Sequence, residues 1–128
     1  MTTMRTLPDT YAFIEFFNGT KQGEKVRAYL KKDVIYLSTI CIYEIRHVIS
    51  KRHSKKRADD FLRSLMINYK IVPVDEEIAM LAADIKNRYN MPMADSLIYA
   101  TAKRENARVL SGCKHFKKVK ERDVIVLK

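Results

Sequence analysis

"MRTLPDTYAFIEFFN", Met4 to Asn18, changes character once along its length. Its first part reads as a short strand ending at Asp9. Its second part, "YAFIEFFN", is apolar almost all round, reads as a buried helix, and is closed by Asn18-Gly19. A strand feeding directly into a buried helix is how an α/β chain begins, so the fold depends on whether the alternation continues.

The rest of the chain continues it. Residues 21–32, "KQGEKVRAYLKK", have helical spacing at Val26 and Tyr29–Leu30, and "VIYLS" (34–38) has the β-branched, apolar composition of a buried strand. Thr39 is the expected cap of the helix "ICIYEIRHVISKR". Ala58, Phe61, Leu62, Leu65, Met66 and Tyr69 then recur at the spacing of one helix face, and "KIVPV" (70–74) is a further strand candidate. Asp75 to Glu77 open a helix with Ile78, Leu81, Ala82, Ile85 and Tyr89 on one side, and Pro92 is expected at the first position of the next, "MPMADSLIYATAK". "ARVLSG" and "DVIVL" close the pattern as two short strands separated by a basic loop. Each strand-to-strand connection is long enough for a crossover. The fold class is therefore α/β: an open, doubly wound parallel sheet of about five strands with helices on both faces. Ligands of such sheets gather outside the carboxyl ends of the strands, where the strand order reverses.

The 128 residues, 47% hydrophobic and 31% charged, suit one domain, 1–128, with no repeat or linker to divide it. The 25 Lys+Arg against 15 Asp+Glu leave a formal charge of +10, which makes polyanions the first partners to consider. Cys41 and Cys113 are too few for a disulfide framework, and the N-terminus has no apolar signal core. The expected setting is cytoplasmic, with no membrane partner. Gly19, Gly23 and Gly112 are the only glycines, and none builds a phosphate-cradling loop.

Three carboxylates stand out. Asp9 falls at the carboxyl end of the first strand, where it can cap the following helix, bind at the crevice, or do both. At 100° per residue Glu44 lies between Ile40 and Val48, on the side of its helix that also holds Cys41, where an ionised carboxylate needs a cation, a proton or donors. Asp95 opens a helix whose Ala94, Ala100, Thr101 and Ala102 allow close approach, although the helix dipole alone also favours an acid there. Converging carboxylates call for a hard divalent cation, Mg²⁺ or Mn²⁺. His47, His53, His115 and the cysteines lack zinc-ligand spacing, so no zinc set is expected. A hard cation beside a basic surface suggests phosphodiester hydrolysis, with Arg46, Lys51, Arg52, Lys114, Lys117 and Lys118 as candidate phosphate grips. No serine nucleophile set is evident, and Cys113, though near His115, lacks a third orienting group.

"LPDTYAFIEFF", "STICIYEI" and "MPMADSLIYATA", in this order, resemble the PIN-domain ribonucleases, most closely the small VapC-type toxins of toxin–antitoxin pairs. The resemblance spans essentially the whole chain. It implies a PIN-like fold and a Mg²⁺- or Mn²⁺-dependent endoribonuclease acting on RNA. It also implies a homodimer held in check by an antitoxin. Asp9, Glu44 and Asp95 match the family's acidic metal-binding positions, and Thr10 a hydroxyl that supports the first aspartate. In "LSGCKHF" the family's usual fourth acid is replaced by Cys113, a poor ligand for a hard cation, while Ser111 remains to hold a water or a neighbouring acid. Three acids can still suffice, and Asp123 or Glu121 could supply a further carboxylate by another route. A non-catalytic RNA-binding module of the same fold is the alternative. Phe13, Phe16 and Phe17 exceed what one small helix buries on one side, so part of that face is a candidate partner surface.

Overall fold

The computed structural model describes residues 3–127. Strands β1 (Arg5–Pro8), β2 (Val34–Ser38), β3 (Lys70–Val72), β4 (Arg108–Ser111) and β5 (Val124–Val126) form one parallel sheet in the order β3-β2-β1-β4-β5. Helices α1 (Thr10–Asn18), α2 (Lys21–Lys32), α3 (Thr39–Arg52), α4 (Lys55–Asn68), α5 (Glu76–Tyr89) and α6 (Met93–Arg104) fill the connections. Ile35, Tyr36, Leu37 and Ser38 are buried consecutively, as are Thr6, Leu7 and Pro8, and Val109, Leu110 and Ser111. Neighbouring strand residues point to opposite faces, so these runs mean that both faces of the sheet are covered.

The topology decides where a site can form. From β1 the chain winds outward through β2 to β3, then crosses back to place β4 on the other side of β1, with Pro8 in register with Leu110. The order therefore reverses beside β1. The crevice at its carboxyl end is the switch point where open α/β sheets bind ligands.

Local chemistry sets the helix starts. Asp9, Thr20, Ser38, Ser54 and Asp75 each accept a backbone N–H from the first turn of α1 to α5, a contribution of about 1 kcal/mol apiece. Gly19 ends α1 in the left-handed conformation, φ 68°, as its place after Asn18 predicts. Two boundaries differ from the sequence reading. The cap of α3 is Ser38, because β2 turns into the helix one residue earlier than expected, and Thr39 instead accepts the Val74 N–H at 3.1 Å. Pro92 is the residue before α6 rather than its first, with extended backbone (ψ 152°), and its carbonyl accepts the Ser96 N–H.

The core matches the apolar spacing in most places. Ala58, Leu62 and Leu65 of α4 and Ile78, Ala82 and Ile85 of α5 are buried, whereas Met66 turns out to solvent at the margin of its stripe. Phe13 is fully buried, and Phe16 and Phe17 lie against Phe61 of α4 with ring centroids 6.1 and 5.0 Å apart. The surplus apolar surface of α1 is thus largely covered by α4 within the chain. No helix among the described residues is long and apolar enough to cross a membrane.

Candidate metal centre

Asp9 follows β1 directly, at the reversal of the strand order, and is only 2% exposed. Its two oxygens have different partners. Oδ1 accepts the Ala12 N–H at 2.8 Å as the cap of α1, and Oδ2 accepts the hydroxyl of Ser111, the last residue of β4. Capping and orientation toward the crevice coexist. Burial pushes the Asp9 carboxyl up to about 7; the Ser111 and Ala12 donors oppose this, and the charges of Asp95 and Glu44 add to it.

Glu44, half-buried on α3, has Oε1 2.5 Å from the Thr10 hydroxyl. The family resemblance assigns the Thr10 hydroxyl to the first aspartate. Here it donates to Glu44, because Thr10 is already the first residue of α1 and faces α3, and Ser111 supports Asp9 in its place. Among the described residues Glu44 has no basic ion-pair partner. Asp95 is in the first turn of α6 but makes no capping hydrogen bond. Its Oδ2 lies 2.8 Å from His115 Nδ1, and burial raises its carboxyl above the ordinary range against the pull of His115. These are more demands than a dipole filler meets.

Asp9 feels the charges of both Asp95 and Glu44, whereas the ligand atoms lying within 4.8 Å of one another are those of Asp95, Cys113 and His115, with Asp9 and Glu44 outside that group. Each of the three acids is an oxygen donor; Glu44 and Asp95 have a partner on one oxygen and Asp9 has one on each, which still leaves lone pairs on all three. Such a set fits a hard cation such as Mg²⁺ or Mn²⁺. Asp123 and Glu121 do not join it. Asp123 accepts from Tyr99 Oη at 2.6 Å and Lys103 Nζ at 3.3 Å, while Glu121 is exposed in a short 3-10 turn.

Cys113 holds the position after Ser111-Gly112. Its N–H donates to Ser111 Oγ at 2.8 Å, and its Sγ lies 3.1 Å from His115 Nδ1. Sequence spacing predicted no histidine or cysteine set. The structure corrects this: ligand atoms of Asp95, Cys113 and His115 all lie within 4.8 Å of one another. The Cys-x-His pair was visible in the sequence, but the arrival of Asp95 from α6 was not, because it depends on how the β4–β5 connection folds back.

The basic residues divide. Lys114, Lys117 and Lys118 are exposed on a 3-10 helix (Lys114–Lys118) that directly follows Cys113. Lys51 and Arg46 line a shallow groove of about 540 Å³ with Tyr43, His47, Ser50 and Lys55. Arg46 is already tied to Asp59 at 2.9 Å, so its charge is partly spent, and Arg52 is exposed at the end of α3. Sequence reasoning missed Tyr43, which is 66% exposed and stacked on His47 at 6.3 Å between ring centroids. It also missed Tyr11, whose half-exposed ring presses against Gly112 so closely that a Cβ there would collide with it. An exposed aromatic beside basic chains was the available signal for Tyr43.

No curated protein matches the chain in sequence. Solved structures do share its fold. A chain of a toxin–antitoxin complex from Klebsiella pneumoniae is 21% identical, with 96% of this chain and 98% of that one covered and a TM-score of 0.78. FitAcB from Neisseria gonorrhoeae is 25% identical over 96% of each chain, with a TM-score of 0.69. VapC20 of Mycobacterium tuberculosis, described as a toxin that cleaves the sarcin-ricin loop, is 12% identical over 88% of this chain and 93% of its own, with a TM-score of 0.72. Besides these likenesses of fold, the PIN domain family model matches residues 6–122, nearly the whole chain, and the protein therefore belongs to the PIN-domain family.

Proposed function

We propose that the protein is a VapC-like toxin, an endoribonuclease dependent on Mg²⁺ or Mn²⁺. The observation that carries this reading is the buried Asp9 carboxyl at the strand-order reversal, held by Ser111 and Ala12 and under the charge of Asp95 and Glu44. Asp9, Asp95 and Glu44 would hold the cation. When bound, it would polarise the scissile phosphate and lower the pKa of an attacking water. The chain's own contribution is positioning: Ser111 and the Ala12 N–H fix Asp9, Thr10 fixes Glu44, and His115 fixes one oxygen of Asp95. Lys114, Lys117, Lys118, Lys51 and Arg52 would attract the RNA backbone, with Arg46 contributing less because of Asp59. An antitoxin partner, a homodimer and a cytoplasmic setting complete the reading. The likeness of fold to toxin–antitoxin complexes supports the antitoxin partner.

Cys113 favours a second reading, an RNA-binding module with an impaired metal site. Incubation of end-labelled structured RNA with Mg²⁺, Mn²⁺ or EDTA, with Asp9→Asn purified in parallel, separates the two. The nuclease gives metal-dependent cleavage that Asp9→Asn loses while it still binds RNA. RNA binding without cleavage in any metal would establish the module instead.

A further inference from the structure

His115 Nδ1 stands 2.8 Å from Asp95 Oδ2 and 3.1 Å from Cys113 Sγ. One ring nitrogen carries at most one proton and can satisfy only one of these neighbours by donating it. An oxygen, a nitrogen and a sulfur donor within 4.8 Å of one another can instead all be satisfied by a shared cation. We propose that Asp95, Cys113 and His115 form a binding site for a borderline first-row cation, Zn²⁺ foremost, which captures Asp95 and thereby restrains cleavage.

The donor types decide the cation. Sulfur is a poor ligand for Mg²⁺, while thiolate, imidazole and carboxylate together are an ordinary zinc set, three protein ligands leaving a fourth position for water. The three residues are half-buried, so the site is lined by protein yet open to an ion from solvent. It is also preformed. Cys113 is anchored through its N–H to Ser111 Oγ, which itself donates to Asp9, and Asp95 is fixed by α6. The other thiol, Cys41, is fully buried and does not compete. Replacing the family's fourth acid by Cys113 then alters one side of the centre rather than simply degrading it. The restraint on cleavage rests on Asp95 also serving the hard cation of the proposed nuclease.

The test uses the full chain, freed of metal. Zn²⁺ is titrated against a chromophoric chelator, and Co²⁺ is added to a parallel sample for its optical spectrum. The expected result is one equivalent of zinc, a thiolate-to-cobalt charge-transfer band, and loss of that band in Cys113→Ser. Zinc affinity should fall in both Cys113→Ser and His115→Gln by more than the roughly 10–100-fold that losing a supporting partner costs. Circular dichroism verifies that both variants fold. A cobalt spectrum without the thiolate band, or Cys113→Ser binding zinc as tightly as wild type, overturns the site. In RNA cleavage with Mg²⁺, zinc should inhibit the wild type and leave Cys113→Ser at its own rate; zinc that binds without inhibiting overturns the restraint. If no cleavage occurs in any metal, the nuclease reading and the restraint fail together, while the titration still decides the zinc site.

Discussion

Ser111 is the residue on which the proposed centre turns, because its one hydroxyl donates to Asp9 while accepting the N–H of Cys113. Ser111→Ala removes a donor from a buried carboxylate, and a hydrogen bond to a charged group contributes about 1.5–3 kcal/mol. Cleavage should fall roughly ten-fold or more, with RNA binding in EDTA unchanged; equal activity would remove Ser111 from the positioning role. Asp9 also yields a pH prediction. Its folded-state pKa, about 7, lies above the ordinary value, so the native protein binds this proton more tightly than the unfolded chain does. The associated stability is present at low pH and is lost as pH rises through about 7. Thermal melts in EDTA should show that loss, a few kcal/mol at most. Mg²⁺ should restore stability on the alkaline side, and Asp9→Asn should show a shallower slope. A wild-type melting temperature in EDTA that follows the Asp9→Asn profile across this window would contradict the assignment. The places of Asp9 at a strand end, of Glu44 on a helix and of Asp95 in a helix's first turn were legible in the sequence. Ser111 holds a neighbouring acid as that reading allowed, but Thr10 serves Glu44 rather than Asp9, because which hydroxyl reaches which acid follows from how the elements pack, and that is not written in any one of them.

At the scale of elements, the alternation of strands and helices was readable almost throughout, and the misplacements at Ser38 and Pro92 amount to one residue each. Apolar periodicity survives into the structure because it is what the sheet and helices bury. The β4–β5 connection was not readable. Its 3-10 turns carry no periodicity, yet it delivers His115 and Asp123 to partners on α6 and Cys113 to within 4.8 Å of Asp95. The joint between α1 and α2 supplies the prediction at this scale. Gly23 lies in the first turn of α2, where a Cβ would overlap the backbone carbonyl of Glu15 in α1. Backbone cannot swing aside as a side-chain end can. Gly23→Ala should therefore destabilise by roughly 1–3 kcal/mol despite alanine's better helix propensity, as read by denaturant melts. A neutral or stabilising result would mean that the two helices are free to separate.

For the molecule as a whole, the +10 charge would govern encounter with the proposed RNA substrate. Single-strand binding loses about 0.7 in log–log salt slope for each phosphate contact removed. Replacing Lys114, Lys117 and Lys118 together by glutamine should flatten the slope by roughly 2 if all three grip phosphates. Filter binding in EDTA over a salt series measures it, and an unchanged slope would move the RNA track toward the Tyr43–His47 groove. The surplus charge was plain in the composition. Its distribution was not: Asp59 spends part of Arg46, while the lysines after Cys113 stay exposed.

Asp9 and Ser111 are 102 residues apart, and the bond between them closes only when β4 lies beside β1. On a ribosome, β1, β2 and β3 emerge in an order that lets them pair outward, but the inner edge of β1 stays open until the chain has been made past Ser111. A nascent or prematurely terminated chain accordingly lacks the support for its first carboxylate and the whole Cys113–His115 segment. The proposed centre thus cannot assemble until β4 has joined β1, whatever has been made before it.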